Sequence, residues 1–179
     1  MASTKTPAQR CKITLLILSS IWLALIVIAP FTIPYHTVDN LSGKVSQIDN
    51  WKEIEKMNPV AASIYLLGDT LCTEISDHSF YLNGNQMPFC ARCTSIFAGL
   101  VLGLLIAVMF DPKVNRLLIG LALLPIAIDG GFQAMTSYQS TNLLRVATGL
   151  LAGVAISLYF SYIANVALAP GRAEKMKLN

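Results

Sequence analysis

Long stretches without acidic or basic residues constrain this sequence more than any other feature. They cover residues 13–38, 93–110, 130–144 and 146–171, and a shorter stretch at 117–128 ends at Asp129. A helix needs about 20 apolar residues to cross the hydrocarbon core of a membrane. If Asp129 lies inside a span, the stretch that begins at residue 117 reaches this length by residue 135. We therefore predict an all-α, polytopic membrane helix bundle, a single domain of residues 1–179, with four transmembrane helices at about 13–33, 93–110, 117–135 and 146–168.

The composition agrees with a chain whose solvent is the lipid bilayer. Hydrophobic residues make up 54% of the sequence and charged residues only 13%, which is unusual for a soluble domain. The net charge of +3 is small, and the basic residues lie beside apolar stretches instead of forming a patch that follows phosphates. We therefore expect a lipid bilayer, and no nucleic acid, as the partner.

The distribution of basic residues predicts the orientation of the four spans. With the N-terminus inside the cell, eight basic residues are cytoplasmic: Lys5, Arg10, Lys12, Lys113, Arg116, Arg172, Lys175 and Lys177. Five face outward: Lys44, Lys52, Lys56, Arg92 and Arg145. This bias favours a multi-pass protein of the cell membrane with both termini in the cytoplasm. The first span is too long for a typical signal peptide and lacks a small-x-small cleavage site, so we expect a retained anchor.

The outer loop between the first two spans, residues 36–92, is predicted to contain two short helices. Asn50 with Glu53 is typical of a capping box, and Asn58-Pro59 is typical of a helix cap followed by a first-turn proline. The second helix should run to about Cys72, which is too short to span the membrane. Its apolar face should lie on the outer rim of the bundle or dip into it. That face consists of Val60, Ile64, Leu67 and Leu71.

A tight hairpin is predicted at Asn83-Gly84, because both residues tolerate the positive φ angles of a two-residue turn. In such a loop Leu82 faces Asn85, and counting outward places His78 opposite Phe89. We therefore expect His78 to lie beside Cys90.

The outer loop also carries a cluster of potential metal ligands. Cys72, His78, Cys90 and Cys93 fall close together in the sequence, and the last two form a CxxC motif at the mouth of the second span. Three thiolates and one imidazole make a complete tetrahedral zinc site. A closed site of this kind would be structural, whereas a site without His78 or Cys72 would keep a position open for water or substrate.

Two alternatives remain for the cysteines. Cys90 and Cys93 are also typical of a redox pair, as in four-helix membrane thiol oxidoreductases, although those enzymes normally need a second pair. Here only Cys72 remains in the outer loop, since Cys11 lies at the cytoplasmic end of the first span. The other alternative is a simple disulfide or a set of buried thiols without a further role.

An ionisable cluster is predicted inside the membrane around Asp129. Gln133 follows one turn later on the same face, and Arg145 at the outer entry of the fourth span is the obvious counter-ion. Arg92 and Asp69 are the next candidate partners. The cluster is either an ion pair that clamps two spans or a functional site in which Asp129 carries a proton or acts as a base. The candidate catalytic residues are Asp129, Gln133, Arg145 and Arg92.

Small residues recur every fourth position on two spans, which is typical of close helix packing. The two stripes are Ser95, Gly99, Gly103 and Ala107, and Gly149, Gly153, Ser157 and Ser161. They indicate packing within the bundle and, as the alternative, a homo-oligomer.

A series of short motifs runs along the second half of the chain: Cys72, Ser79-Phe80, residues 88–94, Asp129-Gly130 with Gln133, Ser140-Thr141-Asn142 with Arg145, and Thr148-Gly149. In this order they resemble a family of small prokaryotic membrane proteins catalogued as domain of unknown function 2085. In that family a His usually follows the first Cys and an Arg precedes Ser-Phe, whereas this chain has Thr73 and His78 there. The resemblance covers about residues 65–155 and implies a membrane location and a shared site, without implying a reaction.

These patterns predict a zinc cluster at the outer membrane face next to an Asp, Gln and Arg site, and they leave the activity open. The protein could be a membrane enzyme acting on a lipid or a small anionic substrate. It could instead be a thiol-disulfide oxidoreductase that uses Cys90 and Cys93, or a small transporter or ion-conducting oligomer that uses Asp129.

Overall fold

The computed structural model describes residues 6–41, 43 and 45–168. Four helices are long and apolar enough to cross a membrane. They are α1 (Pro7–Ile28, continued by a 3-10 turn at Ala29–Phe31), α4 (Ala91–Phe110), α5 (Arg116–Met135) and α6 (Asn142–Ala167). The predicted helical membrane fold is confirmed. The topology markers Lys5, Lys44, Arg172, Lys175 and Lys177 lie outside the described residues.

The fourth span begins earlier than its apolar stretch predicted. Thr141 caps α6 by accepting a hydrogen bond from the Leu144 backbone N–H at 3.4 Å, so the helix starts at Asn142 instead of near residue 146. Arg145 therefore lies in the first turn of the helix and not before it.

The closest helix packing in the molecule joins α4 to α6 through the two stripes of small residues. A Cβ added at Gly153 would collide with the Ile96 carbonyl oxygen, and one at Gly103 would lie 2.9 Å from the Val154 carbonyl oxygen. Backbones approach this closely only where side chains are absent. The stripes are thus used within one chain, and a homo-oligomer remains a prediction that another surface would have to carry.

At one end of the bundle, which we call the Lys12 end, three spans are tied together by polar contacts. Lys12 Nζ lies 2.5 Å from Asp111 Oδ1, and the Asn165 amide donates to the same oxygen at 2.8 Å. The start of α1 and the last turns of α6 therefore meet at this end. The opposite end, where α4 and α6 begin and α5 ends, is called the cysteine end below. Which side of the membrane each end faces stays a prediction.

Residues 32–90, the connecting region, cover the cysteine end. The region contains α2 (Trp51–Ile54), α3 (Pro59–Leu71), a 3-10 turn (Ser76–His78) and a hairpin of β1 (Ser79–Leu82) and β2 (Asn85–Cys90). Its core is continuous with the spans, because Phe89 packs edge-to-face on Trp22 of α1 and Phe97 of α4, with ring centroids 5.9 and 5.5 Å apart. The hairpin end is therefore held firmly against α4.

The two predicted helix caps have different outcomes. Asn58 caps α3 as predicted, since its Oδ1 accepts from the Ala61 N–H at 3.0 Å. The Asn50 side chain makes no cap for α2. Its amide instead donates to Asp69 Oδ1 at 2.7 Å and to Glu74 Oε2 at 3.2 Å, because these buried carboxyls need donors more than an exposed helix end does.

The apolar face predicted for α3 is only partly exposed. Val60, Leu67 and Leu71 are exposed, whereas Ile64 belongs to the core of the connecting region. Gly68 explains the difference, because a Cβ there would lie 2.8 Å from the Pro88 carbonyl carbon. The absence of a side chain lets β2 approach, and this rotates Ile64 toward the hairpin.

The hairpin forms at Asn83-Gly84, where φ is 53° and 67°. Leu82 faces Asn85 as predicted, but Ser79, not His78, faces Cys90. The predicted pairing of His78 with Phe89 is wrong, because the strands bulge between Ser79 and Tyr81. Pro88 lies in this bulge and has no N–H to donate to the ladder.

Candidate metal centre and the adjacent polar cluster

Three cysteines from three different elements converge at the cysteine end. Cys72 ends α3, Cys90 is the last residue of β2, and Cys93 lies in the first turn of α4. Their sulfur atoms all lie within 4.8 Å of one another, and the Cys72 and Cys93 sulfurs are 3.3 Å apart. All three are free thiols, and Cys72 and Cys90 are buried. Three soft sulfur ligands at this spacing suit zinc or copper(I).

Two of the cysteines, Cys72 and Cys90, lie outside the spans, and their pKa values shift in opposite directions. Hydrogen bonds from the Cys72 and Cys93 thiols lower the pKa of Cys90. The pKa of Cys72 is raised by its hydrogen bonds with Cys90 and Cys93 and by burial. The cluster therefore favours one thiolate beside protonated partners, and a metal would displace the remaining protons.

His78, predicted as the fourth ligand, is buried but outside this group. Among the described residues, the three cysteines are the only group of three or more such ligands whose ligand atoms all lie within 4.8 Å of one another. His78 directly precedes Ser79 in the chain, and Ser79 pairs with Cys90 across the hairpin. Burial, and then the charge of Arg145, lowers the pKa of His78. Its neutral form, which is the form that binds metals, is therefore favoured.

A second polar cluster lies beside the cysteines on α4 and α5. Arg92, inside the CxxC motif, forms an ion pair with Asp129. The same Nη2 donates to Gln133 Oε1 and to Ser140 Oγ, each at 3.1 Å. The Tyr138 hydroxyl donates to the Asp129 carboxylate at 3.4 Å. The Asp129 carboxylate of α5 is thus held by α4 and by the loop before α6.

Arg145 is not the partner of Asp129, and this sequence prediction is wrong. Because α6 begins at Asn142, the Arg145 side chain bends back, and its Nε donates to the Ser140 carbonyl oxygen at 3.1 Å. Asp69, another candidate partner, lies in the core of the connecting region and accepts from Asn50. Arg92, Asp129 and Gln133 are therefore brought together, and Arg145 lies next to them on Ser140.

Two guanidinium groups retain unused donors. Arg145 is 3% exposed, and its Nη2 has no hydrogen-bond partner among the described residues. Within the same residues, the buried Nε of Arg92 also lacks a partner. A buried donor without an acceptor is costly, so these atoms mark the place where the described contacts are incomplete.

An apolar groove of about 460 Å³ leads to Asp129. It lies between α5 and α6, and its lining residues are Pro125, Ile128, Asp129, Phe132, Tyr138, Leu144 and Thr148. Ile128 and Phe132 are more than half exposed, so the groove opens toward the surroundings of the bundle. A molecule in the bilayer could approach the carboxylate by this route.

Sequence reasoning did not predict the contacts of several buried polar residues. Ser140, which joins the two arginines, is 4% exposed, and the sequence marked it only as part of the Ser140-Thr141-Asn142 motif. The carboxyls of Asp69 and Glu74 are fully buried and share Asn50. Burial, and then the charge of Asp69, raises the pKa of Glu74 to about 9. Nothing local in the sequence marks this network, because its members come from three separate elements.

The comparisons agree with the motif order. The family model described as "Predicted membrane protein (DUF2085)" matches residues 72–159, which include all three converging cysteines. An uncharacterised protein of Methanocaldococcus jannaschii is 31% identical over 105 residues, covering 56% of this chain and 67% of the relative. One of Methanothermobacter thermautotrophicus is 35% identical over 91 residues, covering 49% of this chain and 82% of the relative. No solved structure matches. The chain therefore belongs to the DUF2085 family of predicted membrane proteins.

Proposed function

We propose that this protein is a membrane-embedded metal protein in which Cys72, Cys90 and Cys93 bind one zinc ion at the outer face of the cell membrane. The observation that supports this proposal is the convergence of the three sulfurs within 4.8 Å. They come from the end of a helix, the end of a strand and the start of a span, so they meet only in the folded chain. Zinc would therefore join the connecting region to α4.

Tetrahedral zinc needs a fourth ligand. We propose His78, because it is buried and directly precedes Ser79, the residue that pairs with Cys90. With His78 bound, the centre is closed and structural, and the chemistry belongs to the neighbouring polar cluster. With water in this position, the metal itself would be available to a substrate.

The experiment is metal analysis of the full chain purified in detergent. We expect about one zinc per chain in the wild type and its loss in Cys90→Ser and Cys93→Ser. Cys11→Ser is the matched control, since Cys11 lies at the Lys12 end and should leave the zinc content unchanged. A wild type without metal, or zinc that survives both substitutions, would contradict the proposal.

A specific contact supports a second candidate function, thiol-disulfide exchange. The sulfurs of Cys72 and Cys93 are 3.3 Å apart, which favours this pair over the predicted pair of Cys90 and Cys93. Two thiols would form one disulfide and release two protons and two electrons to a quinone or a partner disulfide. Peptide mass spectrometry of protein isolated without zinc would then find Cys72 linked to Cys93. Stoichiometric zinc on reduced cysteines would exclude this function.

For the polar cluster, we propose that a lipid or a small anionic substrate reaches Asp129 through the groove between α5 and α6. The groove supports an enzyme more than a transporter, because it ends at the partly buried ion pair of Arg92 and Asp129. We expect Thr148→Trp, which fills the groove, to reduce photocrosslinking of a lipid probe to the chain. Ala122→Trp, in an apolar groove of about 270 Å³ nearer the Lys12 end, is the control. Asp129-dependent ion flux in liposomes would instead support the transporter.

A further inference from the structure

Arg145 is a buried cation without a carboxylate partner. Its side chain is 3% exposed, and among the described residues it forms no ion pair. Asp129, the nearest carboxylate on the spans, already pairs with Arg92. An isolated charge away from water is strongly unfavourable, so an anion must lie close to this guanidinium.

Arg145 lies where the first turn of α6 packs on the first turn of α4. Its helical turn packs on the turn of α4 that carries Cys93, since Ser95 Oγ donates to the Arg145 carbonyl oxygen at 3.2 Å. Gly149, one turn later, allows this approach, because a Cβ there would lie 2.7 Å from the Arg92 carbonyl oxygen.

The start of α6 is also tied to the hairpin. The Asn142 amide donates to the Asp77 carbonyl oxygen at 3.1 Å, and Asp77 precedes His78 and the Ser79 and Cys90 pair. Arg145 therefore lies where the elements carrying Cys90 and Cys93 meet α6. Its charge is repelled by Arg92 and is attracted by Cys90, Asp129 and Cys72.

We propose that Arg145 is the counter-ion of the metal–thiolate centre. This inference rests on the proposed function. Three cysteinates and one divalent ion carry a net charge of minus one, whether the fourth ligand is a neutral imidazole or water. One guanidinium neutralises this charge, and its Nη2 has no hydrogen-bond partner among the described residues. Arg145 is thus a positioning residue that favours the metal-bound state.

The test compares metal retention in the full chain against a competing chelator. We expect Arg145→Gln to lose zinc at least tenfold more readily than the wild type, in the range typical of residues that support metal ligands. Arg145→Lys keeps the charge but not the two separate donors of the guanidinium, so it should lose zinc clearly less readily than Arg145→Gln. Arg116→Gln is the control, because it removes an exposed positive charge at the Lys12 end and should change nothing.

Cobalt substitution gives a second readout that a merely structural role would not move. The sulfur-to-cobalt charge-transfer band should shift in Arg145→Gln and keep its wild-type position in Arg145→Lys. Wild-type retention and spectrum in Arg145→Gln would overturn the inference, as would equal losses in the Gln and Lys variants. If the wild type binds no metal, the proposed function itself fails, which is a different result.

A charge-compensating variant covers the case in which Arg145→Gln does not fold. Cys93→His makes the centre neutral, so it no longer needs a counter-ion. We expect Cys93→His combined with Arg145→Gln to give more folded, metal-binding protein than Arg145→Gln alone. A double variant that is no better than the single one would overturn the inference.

Discussion

At the scale of single residues, the contacts at the cysteine end depend on which anions pair with two arginines. Arg92 and Arg145 both donate to Ser140, one to its hydroxyl and one to its carbonyl oxygen. Only Arg92 has a carboxylate partner among the described residues. Two like charges around one serine require two sources of negative charge, and the cysteine cluster is the second source that we propose.

The ion pair of Arg92 and Asp129 can be tested by a double-mutant cycle. Arg92→Gln or Asp129→Asn alone should destabilise the protein by about 3 kcal/mol, because each leaves a buried charge without its partner. The double variant should cost clearly less than the sum of the two single variants. Unfolding of the purified chain in detergent measures all three. Strictly additive losses would mean that the pair contributes no coupling energy.

The fourth ligand is a separate question at the residue scale. If His78 binds zinc, His78→Ala should retain one binding site but lose the metal at least tenfold faster to a chelator. His36→Ala is the matched control, because this histidine is exposed and lies far from the cysteines in sequence. Unchanged retention in His78→Ala would assign the fourth position to solvent and make the centre an open one.

At the scale of elements, the bundle depends on one close helix pair and one loosely attached helix. The α4 and α6 backbones touch through glycines, whereas α5 packs mainly on α6 and buries only Ile119 and Asp129. The loose packing of α5 leaves the groove that leads to Asp129. The close pair brings the first turn of α4, which carries Cys93, against the first turn of α6, which carries Arg145.

Glycine substitutions separate these two kinds of contact. Gly153→Ala should destabilise the protein by about 1–3 kcal/mol, because its Cβ has no space against α4. Gly120→Ala on α5 meets no atom within 4 Å and should be neutral or slightly stabilising, since alanine favours a helix. Thermal unfolding in the same detergent compares the two. Equal effects would show that α4 and α6 are not in close contact.

At the scale of the whole molecule, the two ends of the bundle are different. The Lys12 end carries a short polar tie, while the cysteine end carries the connecting region, the three thiols and the polar cluster. The bias of basic residues predicts that the cysteine end lies outside the cell.

Cysteine labelling in intact cells tests this orientation. Tyr35→Cys, at a position that is 69% exposed in the connecting region, should react with a membrane-impermeant maleimide added outside. Lys113→Cys, in the exposed loop at the opposite end, should react only after lysis. The wild type gives the background from its own cysteines. The reverse pattern would place the cysteine end in the cytoplasm.

By itself, the sequence determined the four spans, the Asn58 cap and the Asn83-Gly84 turn. Each depends on local physics, since about 20 apolar residues satisfy the hydrocarbon core and a tight turn needs residues that accept positive φ. The convergence of the cysteines was predicted only as a set of candidates. Residues 72 and 93 are far apart along the chain, and no spacing rule states how far apart their sulfurs lie.

Only the tertiary structure decided the partners of the charged groups. Pro88 in β2 shifted the register and brought Ser79, not His78, to Cys90. The Thr141 cap placed Arg145 inside α6, and Arg92, not Arg145, forms the ion pair with Asp129. Ion pairs between spans depend on how closely helices approach and rotate, and here glycine contacts between α4 and α6 set that approach. Hydropathy carries no information on these rotations, which is why the sequence predicted the residues of the site but not their pairing.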